Sequence, residues 1–138
     1  DFIIQKAAWI LKKVDYLQSS KPLFTPGGER EDYLLNKAKA ASFARERLER
    51  FNKQYGFRYG RVTIKNQKTC WGSCSRKRNL NFNYKIISLP EALADYIIVH
   101  ELCHLQEFNH SPRFWNLVAR AISDYRERRA SFRNREFK

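Results

Sequence analysis

The stretch His100-Glu101-Leu102-Cys103-His104-Leu105-Gln106-Glu107-Phe108-Asn109-His110 contains all three histidines of the chain and reads H-E-x-x-H followed six residues later by a third His. Residues four apart on a helix lie about 5–6 Å apart on one face, so His100 and His104 can bind one metal ion from the same side. Glu101 lies a fraction of a turn further round, where it can reach a water on that metal without being a ligand. At 3.6 residues per turn, six residues carry His110 to roughly the opposite quadrant of a straight helix. The chain must therefore turn between His104 and His110. Asn109 suits that turn because Asn tolerates the left-handed conformation, and Ser111-Pro112 reads as the cap and first position of a new helix. Three protein ligands leave one position open for water, which is the pattern of a hydrolytic Zn2+ site rather than a closed structural one.

The competing reading is a chance helix carrying two His and a Glu. The surrounding residues weigh against it, because the helix expected over Leu89 to Phe108 is apolar nearly all round, with Leu93, Tyr96, Ile97, Ile98, Val99, Leu102, Cys103 and Leu105. Such a helix is buried, and buried imidazoles with a carboxylate cost several kcal/mol unless paired or metal-bound.

At 138 residues, 43% apolar and 14% aromatic, the chain can bury a core as one domain over 1–138 without disulfides. Three cysteines, Cys70, Cys74 and Cys103, make an odd count without a paired framework, which favours a reducing cytoplasm. No apolar run of about 18 residues predicts a membrane span. The chain begins at Asp1 and lacks Met, which reads as a trimmed or processed chain.

Charge is the second strong signal. The chain carries a net +13, and from Arg50 to Pro90 there are ten Lys or Arg and no acid. Such a stretch attracts polyanions, so the basic segment 50–90 is a candidate surface for nucleic acid or a nucleotide; the plainer reading is a solvated basic face. Arg126, Arg128, Arg129, Arg133 and Arg135 form a separate basic tail that reads as a frayed helical end.

Periodicity predicts an amphipathic helix over Phe2–Leu17, a loop from Pro22 to Glu29, and a charged helix over about Glu31–Gln54, ended by Gly56. The second helix carries Leu34, Leu35, Ala38, Ala41, Leu48 and Phe51 on its apolar face. A short strand is expected over Arg61–Lys65 and a longer one over Asn79–Ile87, with Leu80, Phe82, Tyr84 and Ile86 on one face. Between them Trp71-Gly72-Ser73-Cys74-Ser75 reads as a tight turn. Ser88-Leu89-Pro90-Glu91 has capping-box spacing before the metal helix.

Several other residues have two readings. Cys70 and Cys74 could be half of a second metal site, though a turn without further ligands favours buried thiols. Cys103 is expected to face the core. Tyr84 could donate to an oxyanion, with a core tyrosine as the preferred reading. Trp71, Phe114 and Trp115 are expected to pack beneath the site.

Cys70-Trp71-Gly72-Ser73-Cys74-Ser75, Asn79-Leu80-Asn81-Phe82-Asn83, His100-Glu101-Leu102-Cys103-His104 and His110-Ser111-Pro112-Arg113-Phe114-Trp115 together resemble the YgjP-like metal-dependent hydrolases, a zincin-type family related in pattern to the SprT and Spartan proteases. The match is specific over Cys70 to Trp115 and weaker over the two N-terminal helices. Cys70 stands where the family carries a basic residue. The resemblance also implies a β-rich segment ahead of the first helix, which this chain lacks. Spacing from His100 to His110 equals that of the metzincins, but Glu107 occupies their Gly position, so no metzincin fold is implied.

The expectation is an α+β, zincin-like domain with three or four helices on a small antiparallel or mixed sheet. The resemblance implies His100, His104 and His110 as zinc ligands and Glu101 as general base, acting with a zinc-activated water. A peptide or protein substrate would lie along Asn79–Ile87 by strand addition. Two alternatives stay open: a metal-dependent nucleotide phosphohydrolase, which would use the basic segment for phosphates, and a nucleic-acid-associated protein with a vestigial site.

Overall fold

The computed structural model describes residues 29–67 and 69–133. The helix expected over Phe2–Leu17 and the loop after it lie outside the described residues. Helix α1 spans Glu29–Tyr55. It stops where Gly56 adopts φ 71° and donates its N–H to the Asn52 carbonyl at 2.7 Å, a left-handed conformation that costs glycine little. The Asn52 side chain secures the exit, donating to Phe57 O and accepting from Phe57 N, both at 2.8 Å.

The buried row of α1 is Ala40, Ala44 and Leu48, all fully buried. Leu34 and Leu35, expected on that face, are 63% and 76% exposed. Small side chains four residues apart let the helix close on its neighbours, and that row takes the inner face instead of the leucines.

Three short strands follow, β1 at Val62–Lys65, β2 at Gly72–Cys74 and β3 at Leu80–Asn83. Their order is β1-β3-β2, with β1 parallel and β2 antiparallel to β3, so the sheet is mixed. The segment Trp71–Ser75, read as a turn, is therefore largely an edge strand. The true turn lies at Arg76–Arg78, where Arg78 takes φ 68° and is held by donating to Arg58 O at 2.8 Å and Leu105 O at 3.1 Å. The longer strand expected over Asn79–Ile87 ends at Asn83 and passes into a 3-10 helix over Tyr84–Ser88. Asn83 causes the change: its side chain accepts from Lys85 N and donates to Gln67 O, offering the backbone an alternative to the ladder. Leu80, Phe82, Tyr84 and Ile86 nevertheless all face the core at 0% exposure.

Helix α2, Glu91–Cys103, is buried on nearly every side. It begins at Pro90 without a side-chain cap, and it ends five residues short of Phe108. Ser88, the expected cap, instead donates to Lys85 O at 2.6 Å and closes the 3-10 helix. Arg47 on α1 ties the two helices, pairing with Glu91 and Asp95 at 2.9 Å each.

Helix α3 runs from Pro112 to Ala121 with Ser111 as cap, as the sequence predicts, its hydroxyl accepting from Phe114 N at 3.4 Å. Arg126, Arg128, Arg129 and Arg133 of the basic tail lie in helix α4, Tyr125–Arg133, whereas Arg135 lies outside the described residues. Arg128 fastens α4 to α2 by donating to Ala92 O at 3.1 Å, and also pairs with Asp124. Among the described residues the architecture is α+β, with four helices on a small mixed sheet. Among the described residues no helix is long and apolar enough to cross a membrane. In the basic segment, Arg50 pairs with Glu46, while Lys53, Arg58, Arg61, Lys65, Arg76 and Lys77 are exposed.

Candidate metal centre

Beyond Cys103 the chain leaves the helix through a turn at His104–Gln106, and His110 precedes the cap of α3. Asn109 is not left-handed; the reversal is spread over the residues after His104. Its effect is to return His110 to the face of α2 that carries His100 and His104. The three Nε2 atoms lie 3.2 Å (His100–His104), 3.0 Å (His104–His110) and 3.3 Å (His110–His100) apart. A tetrahedral ion with Zn–N bonds of about 2.0–2.1 Å has ligand-to-ligand edges of roughly 3.3 Å, so the spacing suits such an ion.

Hydrogen bonding supports the same reading of the donor set. His104 Nδ1 lies 2.9 Å from the carbonyl of Glu107, which can only accept. Nδ1 therefore carries the proton in a neutral ring, and Nε2 presents a bare lone pair towards two further nitrogens. The Tyr96 hydroxyl lies 3.2 Å from His100 Nδ1, fixing that ring from behind. Fully buried Phe114 packs against all three imidazoles at ring-centroid distances of 5.0, 4.4 and 5.0 Å. Burial, followed by the mutual influence of the three rings, pushes His100 down to about 3; burial also lowers His104 and His110. These shifts favour the neutral imidazole, the form that binds metal. Among the described residues this is the one cluster of three or more donor side chains able to hold a metal ion.

Glu101 stands next to the cluster, 7% exposed, with burial raising its carboxyl to about 8. It fits because β2 passes directly over it. A Cβ on Gly72 would come within 3.0 Å of Glu101 Cγ and 3.1 Å of Asn81 O, so only glycine leaves this room. Sequence reading missed Gly72, Tyr96 and the Glu107 carbonyl. Of these, only a glycine inside a strand pattern is a visible signal, and here the segment read as a turn.

The remaining candidates separate cleanly. Cys70 is half-buried, its thiol donating to Gln67 Oε1 at 2.8 Å, and Cys74 is half-buried beside Glu101, pushed up to about 11 chiefly by burial. Cys103 is fully buried. Tyr84 is a core residue, edge-on to Tyr33 of α1 at 5.4 Å. Trp115 lies 6.0 and 5.6 Å from the rings of His100 and His110, and Trp71 sits edge-on to Phe132.

Comparison with known proteins follows the same lines. The family model for the YgjP-like metallopeptidase domain matches residues 29–135. The fold is similar to the zymogen of the metallopeptidase abylysin from Pyrococcus abyssi, with a TM-score of 0.60, 22% identity, and coverage of 67% of this chain and 94% of that one. It is also similar to the zymogen of jannalysin from Methanocaldococcus jannaschii, with a TM-score of 0.59, 22% identity, and coverage of 68% and 97%. At this identity the likeness speaks to the fold, which is zincin-like. No curated protein matches the chain.

Proposed function

The chain belongs to the YgjP-like metallopeptidase family, and from that premise we propose that it is a zinc-dependent hydrolase of peptide bonds. In this reading His100, His104 and His110 hold the ion and Glu101 is the general base. The observation that carries it is the convergence of three Nε2 atoms within 3.3 Å, one of them kept proton-free by the Glu107 carbonyl. A neutral three-nitrogen set with these spacings suits zinc. When bound, the ion would polarise the scissile carbonyl and make a water acidic enough to ionise near neutrality.

The protein's own residues would do the rest. Glu101, ionised beside the bound cation, would take the proton of the attacking water and return it to the leaving amide nitrogen. Tyr96 and the Glu107 carbonyl keep two imidazoles oriented. Phe114 and Trp115 shield the cluster from one side.

The substrate strand belongs on β2 rather than on Asn79–Ile87. Strand β3 is central, with its ladder groups engaged on both sides, whereas β2 is an edge beside Glu101. Asn83 N donates to Trp71 O and Ser75 N to Asn79 O, so the intervening alternation turns the backbone groups of Gly72 and Cys74 outward. An extended peptide would pair with those groups.

The test is metal analysis with a peptide panel. About one zinc per chain is expected, with cleavage falling at least 100-fold in Glu101→Gln while the metal is kept. Nucleoside-triphosphate turnover dependent on Glu101, with no peptide cut across a broad panel, would sink the reading.

A further inference from the structure

We propose that the cavity lined by Trp115, Tyr125, Arg126, Arg129 and Ala130 is a subsite for a carboxylate of the substrate peptide, close to the bond that is cut. The proposal rests on the peptidase reading above. The cavity has a volume of about 400 Å³ and opens between α3 and α4. Its floor is aromatic, with Trp115 and Tyr125 stacked at 5.1 Å and 10°. The Arg129 guanidinium sits 4.7 Å above the Trp115 ring, and that of Arg126 lies 5.5 Å from Tyr125. Stacking on a ring holds a guanidinium plane while leaving its fork of N–H donors directed outward, the arrangement that grips a carboxylate with two hydrogen bonds.

The neighbouring Arg128 shows what a structural arginine on this helix looks like, since it pairs with Asp124 and donates to Ala92 O. Among the described residues neither Arg126 nor Arg129 makes an ion pair with an acid. Trp115 is shared with the histidine cluster, its ring 6.0 Å from His100 and 5.6 Å from His110. Beside a site suited to a metal cation, Arg129 has no acidic counter-charge among the described residues, and an anionic substrate would supply one. Through Trp115 the guanidinium lies within roughly 10–11 Å of both rings, about the span of three extended residues. The carboxylate therefore belongs to an Asp or Glu side chain, or to the chain end, within about three residues of the scissile bond.

The test uses the full chain, loaded with zinc and carrying Glu101→Gln, titrated calorimetrically at low salt with heptapeptides. One Glu walks along the peptide, each version paired with its Gln counterpart and made as free acid and as C-terminal amide. The expected result is about tenfold tighter binding of the charged form at one position, or of the free acid over the amide; the two arms distinguish side chain from chain end. Arg129→Gln should erase that preference, Arg129→Lys should keep part of it, and Lys39→Gln on exposed α1 should leave it unchanged. Equal affinity for charged and neutral peptides throughout, or a preference that survives both Arg129→Gln and Arg126→Gln, overturns the subsite. So does arginine-dependent binding of a nucleoside triphosphate in place of any peptide preference. Cleavage by the wild-type protein is scored separately: acid-selective binding with none of the peptides cut retires the peptidase reading and leaves the subsite standing.

Discussion

Glu101 is a costly residue to bury without a cation beside it. Its burial holds the carboxyl at about 8, well above the ordinary carboxylate range. A carboxyl raised in the folded state stabilises the fold while protonated. That contribution is complete below the unfolded pKa of about 4, and it is lost as the pH climbs towards the folded value. From pH 5 to pH 8 the metal-free protein should therefore lose stability on Glu101's account, by on the order of a few kcal/mol. Replacing the carboxylate by an uncharged amide of the same shape removes the dependence. Scanning calorimetry of metal-free protein should find Glu101→Gln melting above wild type at pH 8 and near it at pH 5. A gap that does not change with pH would mean that the Glu101 carboxyl is not desolvated.

At the scale of elements, the decisive contact is between β2 and α2. Gly72 lets the edge strand lie against the helix at the residue that carries the carboxylate, and the atoms a methyl would meet include the backbone oxygen of Asn81. A backbone atom cannot rotate aside, so Gly72→Ala must move β2, β3 or the Glu101 side chain. The expected cost is about 1–3 kcal/mol in stability. Peptide cleavage should fall more than tenfold with zinc content unchanged, because a displacement of about 1 Å at the base is enough to disturb proton transfer. Denaturant melts and metal analysis on the one variant separate these effects. Loss of zinc together with loss of activity would show that the strand supports the histidines rather than Glu101.

Across the whole molecule, the candidate metal centre joins the end of α2 to the start of α3. His100 lies in the last turn of α2 and His104 caps it, His110 leads into α3, and Arg129 of α4 rests on Trp115, whose other neighbours include the rings of His100 and His110. An ion bound only in the folded state stabilises it by about 2.7 kcal/mol at 100 times the dissociation constant. Chelation should accordingly lower the melting temperature by several degrees, and zinc added back should restore it. His110→Ala should melt near the chelated wild type and gain little from zinc. An unchanged melting temperature on chelation would argue against a resident ion.

What the sequence determined by itself is what depends on local spacing and polarity. His100 and Glu101 lie in the last turn of a buried helix, with His104 at its cap, because they end one apolar run, and Ser111-Pro112 starts the next helix because cap chemistry is local. Gly56 ends α1 for the same kind of reason. Tertiary structure decided whatever depends on partners distant along the chain. Whether Trp71–Ser75 is a turn or an edge strand is settled by its pairing with Leu80–Phe82, and Gly72 acquires its meaning only from Glu101, 29 positions away. The row of α1 that faces inward, Ala40-Ala44-Leu48 in place of Leu34 and Leu35, follows from how closely the sheet and 3-10 helix approach it. Arg129 carried no local sign of a place beside the histidines. Side-chain periodicity records one element's own two faces, and a contact between elements is written in neither of them.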